Sequence, residues 1–181
     1  MNPTHILELP DMEHHELLHT WTYWYLIPNR VGAKSTNWDD FLKALHSFHS
    51  IEDFWAIFNS IDPPYKLPKG CRYYIFKEGI KPVWEDPKND GGFDISIEYD
   101  VSRIQDVQQK WITIVTGALG NTMPHCQYIN GVEFNNKGQK VKIGYWLSKA
   151  PDFVTKEIVN VFRERVDARD VRTTRIQSKQ P

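Results

Sequence analysis

Apolar and polar positions along the chain change period several times, and each change marks an element. Residues 20–27 run Thr-Trp-Thr-Tyr-Trp-Tyr-Leu-Ile until Pro28-Asn29 stops them, a polar/aromatic alternation that predicts a strand with one buried face. Residues 41–48 repeat the pattern more weakly. Residues 71–76, 93–99, 132–134 and 140–147 read as further strands, several joined by glycine-bearing turns such as Gly91-Gly92 and Asn136-Lys137-Gly138. Three stretches switch to helical spacing. Ser50 followed by Asp53 resembles a capping box ahead of Ile51, Phe54, Trp55, Phe58 and Ile61, and Asp62-Pro63-Pro64 ends that run. A second helix runs from about Asp106 through Trp111, Ile112, Val115 and Leu119, where Gly120-Asn121 supplies a left-handed stop. Asp152 is expected to cap a third, with Phe153, Ile158, Val159 and Phe162 on one stripe. The strand-to-strand turns are short, so an α+β fold fits better than a doubly wound parallel one: an antiparallel sheet with the helices packed on one face.

With 181 residues the chain predicts one domain over 1–181, with about 1–12 and 177–181 as tails. A charged fraction of 25% and a hydrophobic fraction of 40% exclude wholesale disorder and fibrous repeats. No apolar run reaches the roughly 20 residues of a membrane span, and the polar start lacks a signal peptide's pattern, which predicts a cytoplasmic or nuclear protein with no membrane partner. Cys71 and Cys126 are far apart and read as buried free thiols. His14, His15 and His19 lack Cys or acidic residues at ligand spacing, so no metal site is expected. Net charge is uneven: residues 1–136 hold 11 basic against 18 acidic side chains, while 137–181 hold 11 against 5. The C-terminal quarter is therefore where contact with a polyanion would fall, unless it is simply a solvated helix and tail.

The 7 tryptophans sort by context. Trp21 and Trp24 lie three apart in a strand and face opposite ways, and Trp55 and Trp111 sit within helical stripes, so packing is the first reading for all four. Trp146 ends a strand and is left open. Trp38 and Trp84 lie in polar or proline-flanked loops with no core to enter. Two loop indoles can sandwich a nucleobase at roughly 1–3 kcal/mol per stacked base, with roughly 0.5–2 kcal/mol of cation–π attraction added if the base is charged. Glu85, beside Trp84, is placed to accept two N–H groups from a guanine edge. The competing reading makes both indoles loop anchors and Glu85 a solvated charge.

The run His15-Glu16-Leu17, then Trp21-Thr22-Tyr23-Trp24, the loop Trp38, Ile51-Glu52-Asp53-Phe54-Trp55-Ala56-Ile57-Phe58-Asn59, and Phe76-Lys77-Glu78-Gly79-Ile80-Lys81-Pro82-Val83-Trp84-Glu85-Asp86 closely resemble the eukaryotic translation initiation factor 4E family, from about His14 to Val166. The divergences described below resemble those of a protozoan paralogue. The resemblance implies a curved antiparallel sheet with three helices on its convex face, and a 7-methylguanosine mRNA cap held on the concave side between Trp38 and Trp84. It assigns Glu85 to the guanine N1–H and N2–H. It implies binding without covalent chemistry, hence no enzyme and no cofactor.

Phosphate recognition departs from the family pattern. Phe93-Asp94 follows Gly91-Gly92 where a basic residue is expected, and Asn135 stands at a usual arginine. Lys140 matches the family's lysine in an ungapped alignment, with Lys142 as the substitute if the strand register differs. After the third helix the chain reaches only Pro181, so a shorter lid over the phosphates is expected, with Arg172, Arg175 and Lys179 as possible replacements. On the convex face the resemblance implies a groove for a Tyr-x-x-x-x-Leu-hydrophobic helix carried by a scaffold initiation factor or an inhibitory binding protein. The matching positions are His15, Leu17, Ile51, Trp55, Ile112 and Gly120, with Glu16 replacing a usual Pro and Thr116 a Leu. The implied function is recruitment of capped mRNA in translation initiation. The alternative is a cap-competing repressor or adaptor with a weak cap pocket.

Overall fold

The computed structural model describes residues 14–27 and 40–177. Its elements in chain order are β1 (Glu16–Leu26), β2 (Leu42–Ser50), α1 (Ile51–Ser60), β3 (Arg72–Lys77), β4 (Phe93–Asp100), α2 (Ile104–Leu119), β5 (Ile129–Asn136), β6 (Lys140–Leu147), α3 (Asp152–Val166) and β7 (Arg172–Arg175). All seven strands join one antiparallel sheet in the order β2-β1-β3-β5-β6-β4-β7. Side-chain alternation divides the sheet cleanly. Trp21, Tyr23, Tyr73, Ile75, Val132, Phe134, Ile143, Tyr145 and Ile95 enter one core with Phe54 of α1, Trp111 of α2 and Phe162 of α3, so the three helices cover one face. Three sheet tyrosines tie that layer down through main-chain carbonyls: Tyr145 to Ile114 at 2.6 Å, Tyr99 to Val166 at 2.9 Å and Tyr73 to Asp62 at 2.9 Å. A smaller cluster of Leu26, Leu42, Tyr74, Phe76, Trp146 and Ile176 lines the opposite, open face. Among the described residues no helix is long and apolar enough to cross a membrane.

Local chemistry sets the element ends. The Ser50 hydroxyl accepts from the Asp53 amide at 3.1 Å, the expected cap of α1. Asp152 does not cap α3: Pro151 occupies that position, and Asp152 contributes its charge to the first turn. After α2 the left-handed residue is Asn121 (φ 52°), while Gly120 stays at φ −80°. The strand expected at 132–134 extends to Ile129–Asn136. Residues 172–175, whose Arg172 and Arg175 the sequence offers as substitutes for lid contacts or as solvated charges, form the edge strand β7 against β4. Their four polar, exposed side chains carry no apolar alternation, which is why periodicity missed them.

Candidate functional site

The open face is organised by register. Leu26, Arg72, Asn135, Lys142 and Glu98 stand abreast on successive strands; the next row runs Trp24, Tyr74, Glu133, Gly144 and Ser96, and the third Thr22, Phe76, Gly131, Trp146 and Asp94. Gly131 is needed there, since a Cβ would lie 2.1 Å from the Phe76 ring. Leu26, Arg72, Tyr74 and Trp146 then line a pocket of about 180 Å³, closed on one side by Pro82, Val83, Trp84 and Glu85. That volume is below the ~300–1,000 Å³ of drug-sized sites and suits one flat heterocycle. The Trp84 indole stays 52% exposed at the rim, too open for a packing anchor.

The loop that carries Trp84 and Glu85 is built by short polar side chains. Asp86 accepts from the Lys81 and Lys88 amides at 2.8 and 2.9 Å. Fully buried Asn89 donates to the Lys81 and Val83 carbonyls at 2.8 and 2.9 Å, and Asn130 on β5 donates to its side-chain oxygen at 2.9 Å. Gly91 and Gly92 close the loop against Ile176: the Gly91 amide donates to the Ile176 carbonyl at 3.0 Å, and the Ile176 amide to the Gly92 carbonyl at 2.9 Å. Gly92 is obligatory, because a Cβ would sit 1.9 Å from the Leu147 carbonyl oxygen.

Beneath the pocket lies a buried charged network. Glu133 is 1% exposed and accepts from Lys142 at 2.9 Å, Trp146 Nε1 at 3.1 Å and Asn135 at 3.1 Å, with Arg72 at 3.7 Å. Lys142 also reaches Asp94 at 2.5 Å. Burial works against the Lys142 ammonium, but Glu133 and Asp94 outweigh it and hold its pKa above the usual lysine value. Burial likewise works against the Glu133 carboxylate, yet Lys142 and Arg72 hold it below the ordinary range. Asp94 is raised by burial, against the pull of Lys142. Lys142, expected as a phosphate cation, is thus engaged by two carboxylates in the sheet. Lys140 is exposed, 3.7 Å from Glu98, which Lys137 at 2.5 Å and Arg172 at 3.8 Å also approach, giving three cations around one carboxylate at the far edge. The Lys137 hydrogen bond leads in holding the Glu98 pKa below its usual value.

Trp38 and Lys179 lie outside the described residues, as do the expected tails apart from residue 177. Trp84 and Glu85 both line the pocket. Trp146, left open from sequence, is a pocket wall. Arg72, Tyr74, Asp94, Glu133, Asn89 and Asn130 were missed; the charged Arg72, Asp94 and Glu133 inside aromatic strands were a visible signal, whereas Asn89 sits in a loop with none. On the helix side, the Ile51 amide donates to the His15 carbonyl at 3.0 Å and the His15 ring meets Glu52 at 2.7 Å, joining the starts of β1 and α1. Leu17, Trp55 and Ile112 are half-buried against the same core; Ile51 is half-buried and Gly120 exposed. Trp55 rests edge-on against Phe54 and Phe58, at ring separations of 5.0 and 5.4 Å.

Residues 16–179 match the family model described as eukaryotic initiation factor 4E. Eukaryotic translation initiation factor 4E1 of Drosophila melanogaster is 34% identical over 132 residues, which cover 73% of this chain and 49% of the relative, so the chain spans about half of that protein's length. Among solved structures, Caenorhabditis elegans eIF4E-3 in complex with the 4E-binding protein Mextli superposes with a TM-score of 0.82 at 30% identity, covering 90% of this chain and 93% of that one. Ascaris suum eIF4E-3 with m7G cap gives 0.83 at 29% identity, covering 93% and 94%. On the matched residues and the shared seven-stranded, three-helix architecture, this chain belongs to the eukaryotic initiation factor 4E family.

Proposed function

We propose that this protein binds the 7-methylguanosine cap of mRNA on the open face of its sheet and acts in translation initiation. The observation that carries the reading is the exposed Trp84 indole and adjacent Glu85 at the mouth of an aromatic pocket. A cationic base stacked on Trp84 gains cation–π attraction, and the Glu85 carboxylate complements the N–H edge of guanine. The family resemblance assigns the second stacking indole to Trp38, which lies outside the described residues. Lys140, joined by Lys137 and Arg172, is the cationic group for the phosphate chain, with Lys142 withdrawn into its ion pairs. The site reads a ligand by stacking and charge; no step makes or breaks a covalent bond.

On the helix-covered face, His15, Leu17, Ile51, Trp55, Ile112 and Gly120 form the surface for a Tyr-x-x-x-x-Leu-hydrophobic helix of a scaffold factor or inhibitory protein. The known binding of Mextli by the C. elegans relative supports that assignment. In a direct test, 7-methyl-GTP quenches tryptophan fluorescence of the wild type, and Trp84→Ala, with an unchanged circular dichroism spectrum, is lost from a cap-analogue resin. Retention of the folded variant at wild-type level would remove Trp84 from the site.

A further inference from the structure

We infer that Glu133, seconded by Asp94, is a specificity-determining positioning residue that turns this pocket toward the charge of the base and away from the phosphate chain. The inference rests on the cap-binding reading above and concerns how that site chooses among ligands.

Two sets of contacts carry it. Glu133 accepts the indole N–H of Trp146, itself only 3% exposed and a wall of the pocket. An indole that donates to a full carboxylate carries more electron density on its ring, which strengthens its attraction for a cation against its face. Because Glu133 is buried, solvent screens this effect little. Asp94 stands directly opposite Trp146 across the β4–β6 pair, so the same register row carries a second carboxyl, which Lys142 joins to Glu133. The second set removes a cation. Lys142 lies between Asp94 and Glu133 with its side chain 13% exposed, and turning it toward a phosphate would break both ion pairs, leaving Asp94 without its cation and Glu133 with Arg72 alone as a cationic neighbour. One carboxylate thereby tunes the aromatic wall and helps to lock the nearest lysine. A methylated, positively charged guanine gains from this arrangement, while an unmethylated nucleotide with the same phosphates gains nothing.

The test is a fluorescence titration of wild type, Glu133→Gln and Asp94→Asn/Glu133→Gln with 7-methyl-GTP and with GTP, each at low and high salt. Gln keeps the shape and an acceptor for Trp146 but removes the charge. In Glu133→Gln the ratio of 7-methyl-GTP to GTP affinity is expected to fall about fivefold, because only the charged base loses attraction. In the double variant, Lys142 is released, so GTP binds more tightly than to the wild type and its binding becomes more salt-sensitive. A proportional loss for both ligands, with the ratio unchanged, would make Glu133 a purely structural residue and overturn the inference while leaving cap binding intact. Wild-type protein that binds neither ligand, or both equally, would overturn the cap-binding reading and this inference with it. If Glu133→Gln does not fold, Glu133→Gln/Lys142→Met removes the opposed charges together. The same fall in ratio is expected from it, and an unchanged ratio overturns the inference.

Discussion

Lys142 reaches Asp94 at 2.5 Å and Glu133 at 2.9 Å, with Arg72 3.7 Å from the far side of Glu133, so two cations and two carboxylates compensate one another within the sheet. Removing one partner of such a set leaves buried charge unpaired, which typically costs about 3–5 kcal/mol. Lys142→Met is therefore expected to lower unfolding free energy by about that amount at pH 7, measured by urea denaturation. The pH dependence has a definite sign. Glu133 has a depressed pKa in the fold, so its contribution is full above the unfolded carboxyl value near ~4.3 and is lost as pH falls through the lower folded value. Asp94 has a raised pKa and does not share that acid loss. Without Lys142 both carboxyls take protons more readily, so the gap between wild type and Lys142→Met narrows between pH 7 and pH 4. An equal gap at both would show that the lysine acts through packing alone. Sequence singled out Lys142 as a free cation and missed its partners Glu133 and Asp94, because the three meet through β4–β6 and β5–β6 registers that no local pattern encodes.

Elements whose stabilising contacts are local were readable. The alternation in residues 20–27 gave β1 its two faces, with Trp21 in the main core and Trp24 against the open-face cluster. The Ser50–Asp53 spacing gave the start of α1. Ser50→Ala removes an acceptor for the Asp53 amide and is expected to cost about 1 kcal/mol, seen as a lower urea midpoint with an unchanged slope; no change in midpoint would show that water replaces the cap. Elements held by distant partners were not readable. β7 is polar throughout and exists because β4 offers an edge to pair with. The Trp84 loop likewise takes its shape from Asn89, Asn130 and Ile176, two of them far away in the chain.

At the scale of the whole molecule, one sheet separates two surfaces of different chemistry: aromatic and charged residues on the open face, and helices with a half-buried Trp55 on the other. The proposed partner surface predicts that Trp55→Ala weakens binding of a Tyr-x-x-x-x-Leu-hydrophobic peptide at least tenfold, a hot-spot loss, while 7-methyl-GTP affinity stays within about twofold. Fluorescence polarisation of a labelled peptide measures the first and indole quenching the second; an unaffected peptide affinity would return Trp55 to simple packing.

The paired hydrogen bonds between Ile176 and Gly91-Gly92 also make the pocket depend on the far end of the described chain. The loop that presents Trp84 is pinned at its end by a residue that follows α3, so this wall of the pocket closes a very long segment of chain. The ligand-reading mouth is therefore not complete until the chain through Ile176 is in place, and a chain cut after α3 would leave the Trp84 loop without these two hydrogen bonds.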